Sequence, residues 1–162
     1  MAYATLHGHD LVMRGARPSF QVVLVVAEHD GRYLVIKEAF DEVWYLPAGG
    51  VEHGETIAEG ARRETREEAG IEIEPLGMLR MEEHMRSNGT YVQRFVLAGK
   101  PLTFEPKATP DHHSVEARFL TLAEIRKLRL RDPEVIEHIL DHQRALGGAL
   151  PMAPYGFGVI RC

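Results

Sequence analysis

From Phe20 the chain reads Phe-Gln-Val-Val-Leu-Val-Val-Ala, a run with almost no polar interruption. Such a run predicts a buried strand over residues 20–27. Asp30-Gly31 then signals a hairpin turn into a second strand, Arg32–Ala39. Trp44-Tyr45-Leu46 forms a short apolar step before a loop punctuated by Pro47, Gly49, Gly50 and Gly54. Thr56, with Glu59 three residues later, makes a capping box and sets a helix start near Ile57. Ile57, Ala61 and Thr65 recur every four residues and give that helix a narrow packing face of small residues. Gly70 suits the left-handed position that ends it.

The second half alternates in the same way. Ile71–Met81 is extended, and Asn88-Gly89 turns the chain into a strand over Thr90–Ala98, where Val92, Phe95 and Leu97 are apolar. Lys100–His113 is polar and Pro-rich, a loop. Val115–Leu120 predicts a strand, and Thr121 with Glu124 a second capping box before a helix over Leu122–Leu128. Asp132-Pro133 opens the last helix, with Val135, Ile136, Ile139, Leu140 and Leu146 on its inner side and Gly147-Gly148 at its end. The tail from Pro151 to Cys162 is Gly- and Pro-rich and irregular. Residues 1–19 have no clear period; an extra strand, an arm exchanged within a homodimer and a loose terminus all fit. No repeat, low-complexity tract or inter-domain linker interrupts the chain, so residues 1–162 are expected to form a single α+β domain.

Composition narrows the class. With 162 residues, 44% hydrophobic and 27% charged, the chain has the balance of a globular domain with a real core. A net charge of −5 argues against life on long nucleic-acid backbones, which favour a basic surface. Nucleotide substrates stay open, because bound metal supplies positive charge locally. No stretch is apolar enough to span a membrane, and the first residues lack the basic region and apolar core of a signal peptide. The single cysteine, Cys162, has no internal disulfide partner, so a soluble, reducing, cytoplasmic setting is expected.

The chemistry concentrates in residues 49–71. Glu64, Glu67 and Glu68 stand at i, i+3 and i+4, so a helix places all three carboxylates on one face. Like charges at that spacing repel, and a solvated acidic face is the ordinary reading. A divalent cation reverses the sign of the energy: Mg²⁺ takes oxygen ligands and is often shared between a few carboxylates and substrate phosphates. The whole segment resembles the Nudix box, with its fixed positions on Gly49, Glu55, Arg63, Glu64, Glu67, Glu68, Gly70 and Ile71. Thr65 stands where the box prefers an aliphatic residue; it lies on the packing face, away from the carboxylates.

The resemblance implies an α/β/α sandwich whose mixed β-sheet is flanked by helices. It also implies metal-dependent hydrolysis of a nucleoside diphosphate linked to another group, with Mg²⁺ as cofactor and Mn²⁺ as a substitute. Carried over by position, Glu64 and Glu68 are metal ligands and Glu67 is a ligand or the base that orients the water. The carbonyl of Ala48 matches a further ligand position. Arg63 and Glu55 are expected to form an ion pair that orients the helix against the loop, and Glu52 to reach metal through water. Many members use one more acid before a late strand; Glu116 is the candidate here, with Asp111, His112 and His113 as neighbours that could serve instead.

Substrate class is less sharply marked. The Pro marker of ADP-ribose hydrolases is missing at Met85-Arg86-Ser87, and Tyr91 matches the dinucleotide-hydrolase marker only loosely. The segments Trp44–Ile57, Leu128–Glu137 and Leu150-Pro-Met resemble Nudix phosphatases acting on nucleoside di- and triphosphates, oxidised guanine diphosphates and a thiamine-precursor diphosphate. Three readings follow. One is a hydrolase of small nucleoside di- or triphosphates. The second is a pyrophosphatase for ADP-ribose, a nucleoside diphosphate sugar or a dinucleotide. The third is a nucleotide sensor that does not cut, against which the complete box argues. His7, His9 and Asp10 form a weak metal clip. His138 and His142 at i, i+4 have zinc spacing but are expected on a polar helix face. Trp44 and Tyr45 suit stacking or packing, and Tyr155 and Phe157 suit covering a pocket.

Overall fold

The computed structural model describes residues 19–146. The readings made for residues 1–18 and 147–162, including the arm, the His7–His9–Asp10 clip and the Tyr155–Phe157 tail, lie outside the described residues. Seven strands, β1 (Ser19–His29), β2 (Arg32–Glu38), β3 (Trp44–Tyr45), β4 (Ala48–Gly50), β5 (Ile73–Met85), β6 (Tyr91–Pro101) and β7 (Ser114–Thr121), alternate with three helices. These are α1 (Ile57–Ala69), α2 (Leu122–Ile125) and α3 (Glu134–Leu146).

The sheet runs β3-β2-β1-β6-β5, with β4 added to β1 and β7 to β2. Only β1 and β6 are parallel, from Ser19 against Tyr91 to Ala27 against Gly99; the other pairs are antiparallel. The sheet is therefore mixed, and helices flank it. Val23–Ala27 on β1 and Tyr33–Ile36 on β2 are buried, as their unbroken apolar runs require. Asp30 and Gly31 both take positive φ, 49° and 74°, the backbone a tight hairpin needs. Gly99 on β6 lets two strands and their side chains close up: a Cβ there would lie 3.0 Å from Val25 and 3.1 Å from Ile73.

Local signals hold where the hydrogen bonds are local. Both capping boxes form, Thr56 with Glu59 and Thr121 with Glu124. Gly70 ends α1 at φ 70°, and its N–H reaches the Arg66 carbonyl. The second box opens a shorter helix than expected. After Ile125 the bonds tighten to Lys127 N–H on Glu124 and Leu128 N–H on Ile125, a three-residue step that winds the segment into a turn. Strand β6 also runs further, because Lys100 and Pro101 still pair with Glu74 and Ile73.

The larger correction concerns α3. Val135, Ile139 and Ala145 are buried as an apolar face predicts, but so are His138, Asp141 and His142, while Ile136 and Leu140 are only partly covered. Positions 135, 138, 139 and 142 form one helical stripe, and that stripe faces β5 and β1. Arg80 on β5 reaches across to Asp141, with Nε at 2.9 Å. Neither nitrogen of His138 has a partner among the described residues, and His142 lacks one at Nδ1. The polar-face reading of these histidines is therefore wrong: helix geometry, rather than side-chain polarity, sets which residues point inward.

Burial holds the His138 imidazole below its ordinary pKa of 6.5. A depressed folded-state value means that stability is fully present above 6.5 and is lost as pH falls through the folded value. His138→Leu is therefore expected to flatten the drop in melting temperature between about pH 7 and pH 5, read by circular dichroism. An unchanged pH profile in a folded variant would show that His138 does not carry the acid sensitivity.

Candidate active site

Strand β4 lies antiparallel to β1, with Val22 opposite Gly50 and Leu24 opposite Ala48. The chain then turns at Gly54 (φ 86°) and enters α1 through its capping box. One guanidinium ties loop to helix. Arg63 Nε donates to Glu55 Oε1 at 2.7 Å and its Nη2 to Glu55 Oε2 at 3.0 Å and to the Gly50 carbonyl at 2.7 Å. Its Nη1 donates to Glu64 at 2.8 Å and Glu67 at 3.1 Å. Glu55, Glu64 and Glu67 thus share one cation, and their bonds hold the arginine firmly charged, Glu55 most strongly. The expected Arg63–Glu55 pair is present and reaches further than expected.

Glu68 turns the other way, accepting the Ala48 N–H at 2.9 Å. Burial, reinforced by the charges of Glu64 and Glu38 and opposed by that N–H, pushes its carboxyl up to about 8. Glu64 is buried, and its carboxyl is raised for the same first reason, desolvation, against the pull of Arg63. Gly49 makes this burial possible. A Cβ at Gly49 would lie 2.1 Å from the Glu64 carboxyl carbon, so only glycine lets that carboxylate rest against the strand. Carboxylates held with too little neutralising charge are fitted to accept a divalent cation.

The 107–114 segment closes the C-terminal end of α1. Lys107 Nζ donates to the Glu67 carbonyl at 2.8 Å and Ser114 Oγ to that of Glu68 at 2.5 Å, so the last carbonyls of the helix find partners. Asp111 receives Lys107 and the N–H groups of His113 and Ser114; the lysine holds its carboxyl well below the usual range. Asp111 is thereby a structural staple. Glu116 forms an ion pair with Arg118 and makes no hydrogen bond or ion pair to Glu64, Glu67 or Glu68.

Two residues with no earlier chemical reading reach the site. Glu38, at the end of β2, acts electrostatically on Glu68, and it pairs with Arg131 at 2.6 Å. Glu38, Glu68, His112, His113 and Arg131 line a recess of about 320 Å³ with Phe40 at its rim. The only hint in the sequence was a charge at the end of an apolar strand.

Across β4 lies a second cleft, of about 270 Å³. Its floor is Val22, Leu24 and Tyr45, and its edge is Ala48, Gly49 and Gly50. Arg86, Arg94, Arg131 and His84 complete it, and among the described residues no carboxylate lines it. Arg131 lies over the Tyr45 ring at 4.9 Å and Arg86 over Phe20 at 4.5 Å. Trp44 is buried packing, while Tyr45 faces this cleft. Behind it, donor atoms of Glu82, Glu134 and His138 lie within 4.8 Å of one another. Arg94 pairs with both carboxylates there, so a cation already holds that group.

A cation bound at Glu68 must displace the proton that its raised pKa retains. The stability from the neutral carboxyl is full below 4.5 and is lost as pH rises through about 8. Mg²⁺ is therefore expected to raise the melting temperature more at about pH 9 than at about pH 6.5, and Glu68→Gln to remove that difference. Equal Mg²⁺ shifts at both pH values would separate cation binding from Glu68.

Comparison with known proteins now bears on the geometry. The model of the NUDIX domain matches residues 16–141. Phosphatase NudJ of Shigella boydii is 32% identical over 146 residues, which cover 85% of this chain and 95% of that one. The mouse protein 8-oxo-dGDP phosphatase NUDT18 is 39% identical over 98 residues, 59% of this chain, but the match spans only 29% of that longer protein. Among solved structures, a NUDIX hydrolase from Nitrosomonas europaea superposes with a TM-score of 0.69 at 30% identity, covering 80% of this chain and 90% of that one. The chain belongs to the Nudix hydrolase family.

Proposed function

We propose that this protein hydrolyses a phosphoanhydride bond in a nucleoside di- or triphosphate, or a related small diphosphate, with Mg²⁺ held by α1. One observation carries the reading: strand Ala48–Gly50 is at once the support of the Glu64 and Glu68 carboxylates and the wall of the Tyr45 cleft. A nucleoside in the cleft therefore delivers its phosphates to the acidic helix face. The cleft volume lies at the small end of ligand sites, which suits one nucleoside better than two. The phosphatase names of the relatives agree with this class.

In this reading Glu64 and Glu68 are metal ligands, with the Ala48 carbonyl beside them, and Glu67 is a ligand or the base. Mg²⁺ supplies charge neutralisation on the phosphates and acidifies bound water. The chain's own part is to hold the carboxylates through Arg63 and Gly49 and to take up the water's proton. Glu38, close enough to act on Glu68, suits the role of the acid outside the box alongside Glu116; each is paired with an arginine, Arg131 and Arg118. Arg131 stands between recess and cleft, where it can meet phosphate charge.

The recess beyond Glu68 favours the second reading to one degree: with about 320 Å³ it has room for a leaving group larger than phosphate. Phosphorus NMR decides between them, using Mg²⁺ with nucleoside diphosphates, triphosphates, ADP-ribose, sugar nucleotides and dinucleotides. Inorganic phosphate from diphosphates is the expected product. Paired monophosphates from ADP-ribose or a sugar nucleotide would move the assignment to a pyrophosphatase, and binding without turnover to a sensor. Glu68→Gln is expected to stay folded and lose roughly a hundredfold or more in kcat, since several kcal/mol of charge stabilisation are removed.

A further inference from the structure

We infer that the cleft selects bases presenting oxygen acceptors, the 6-oxopurines and 2,4-dioxopyrimidines, over their amino counterparts, with Arg94 as the specificity-determining residue. The inference rests on the hydrolase reading above and names the substrate class for it. The cleft's charged side chains are Arg86, Arg94 and Arg131, and a guanidinium only donates hydrogen bonds. Among the described residues no carboxylate lines the cleft to receive an amino group; Tyr45 and His84 are its other polar side chains.

Arg94 is the best fixed of the three. Its side chain is only 16% exposed, against 57% for Arg131. Nε donates to Glu82 at 2.5 Å, and Nη2 pairs with Glu82 and Glu134. Glu82 also meets Arg80, which bonds Asp141 on α3, so one of the two carboxylates that grip Arg94 is itself held. With one edge of the guanidinium gripped, Nη1 is left without a hydrogen-bond partner among the described residues. A carbonyl oxygen against Nη1 gains a charge-assisted hydrogen bond, whereas an amino group brings donor against donor and leaves both unpaired. Sites built to satisfy one polar group discriminate far more strongly than apolar pockets do. Glu82 and Glu134 also offset the charge of Arg94, which disfavours a phosphate against that guanidinium and leaves neutral acceptors as its match.

Inosine and adenosine diphosphates differ only along one base edge, an oxygen beside N1–H against an amino group beside bare N1, and UDP and CDP differ in the same sense at C4 and N3. With Mg²⁺, kcat/KM is expected to favour IDP over ADP, and UDP over CDP, by roughly tenfold or more. Arg94→Lys keeps a cation between Glu82 and Glu134 but loses the planar fork, and is expected to bring the IDP:ADP ratio to within about twofold. Equal rates for IDP and ADP in the wild type, or preference for ADP, overturn the inference. So does preference for adenosine 3′-phosphate 5′-diphosphate over IDP, which would show the arginines reading an anion. If no diphosphate is hydrolysed, the hydrolase reading fails separately, and calorimetric affinities for IMP against AMP still decide base selection. Should Arg94→Lys not fold, Glu134→Gln, which loosens the grip on the guanidinium, is expected to lower the same ratio; an unchanged ratio overturns the assignment to Arg94.

Discussion

A helix that carries Glu64, Glu67 and Glu68 within two turns gathers three negative charges on one face, and much of the structure follows from how that repulsion is met. Arg63 meets it from inside the helix. Its guanidinium satisfies Glu64 and Glu67 on one side and Glu55 and the Gly50 carbonyl on the other. The bonds that offset the repulsion are therefore the bonds that fix the helix to the loop. Among the described residues no side-chain cation pairs directly with Glu68, which takes a backbone N–H instead, so it is the carboxylate whose charge is least compensated. A carboxylate in this condition holds its proton more tightly than a free one, and that follows directly from the imbalance of charge.

Rigid support for that imbalance comes from either end. Gly49 and the Ala48 N–H hold the carboxylates against a strand paired into the sheet, so their positions are set by β1 rather than by a free loop. Lys107 and Ser114 seize the carbonyls of Glu67 and Glu68 and bring the Pro-rich segment under the helix end. Gly70 permits the approach: a Cβ there would lie 2.9 Å from the Lys107 side chain. A glycine that first reads as a helix stop thus also makes room for the residue that caps the helix.

The features legible in the sequence were those fixed within a few residues. Capping boxes, the Asp30-Gly31 hairpin, the Gly70 stop and the order of strands and helices all depend on bonds between near neighbours, and the Nudix box spans one loop and one helix. What escaped was convergence from afar. Glu38 and Arg131 are 93 residues apart, and Arg94 and Glu134 are 40 apart. Periodicity alone has no means of bringing such pairs together. Glu116, which its place in the chain suggests as a further acid, pairs locally with Arg118. On α3, His138 and His142 looked like solvent-facing polar residues because the reading weighted polarity above angle; their spacing from Val135 and Ile139 puts them inside.

The inward face of α3 couples that helix to the cleft. The buried side of α3 carries Asp141 to Arg80, Arg80 meets Glu82, and Glu82 with Glu134 grips Arg94 at the cleft. Asp141 and Arg94, the best covered of these groups, would be costly to bury without partners, and here opposite charges alternate from helix to cleft. Apolar residues in the same places would pack at least as well, so stability alone does not account for the chain of charges. What apolar packing cannot do is hold a guanidinium at a fixed angle with one nitrogen unpartnered among the described residues. The ion pairs are therefore best understood as a mount for Arg94, and α3, remote from the acidic helix face, as the part of the fold that sets what the cleft can recognise.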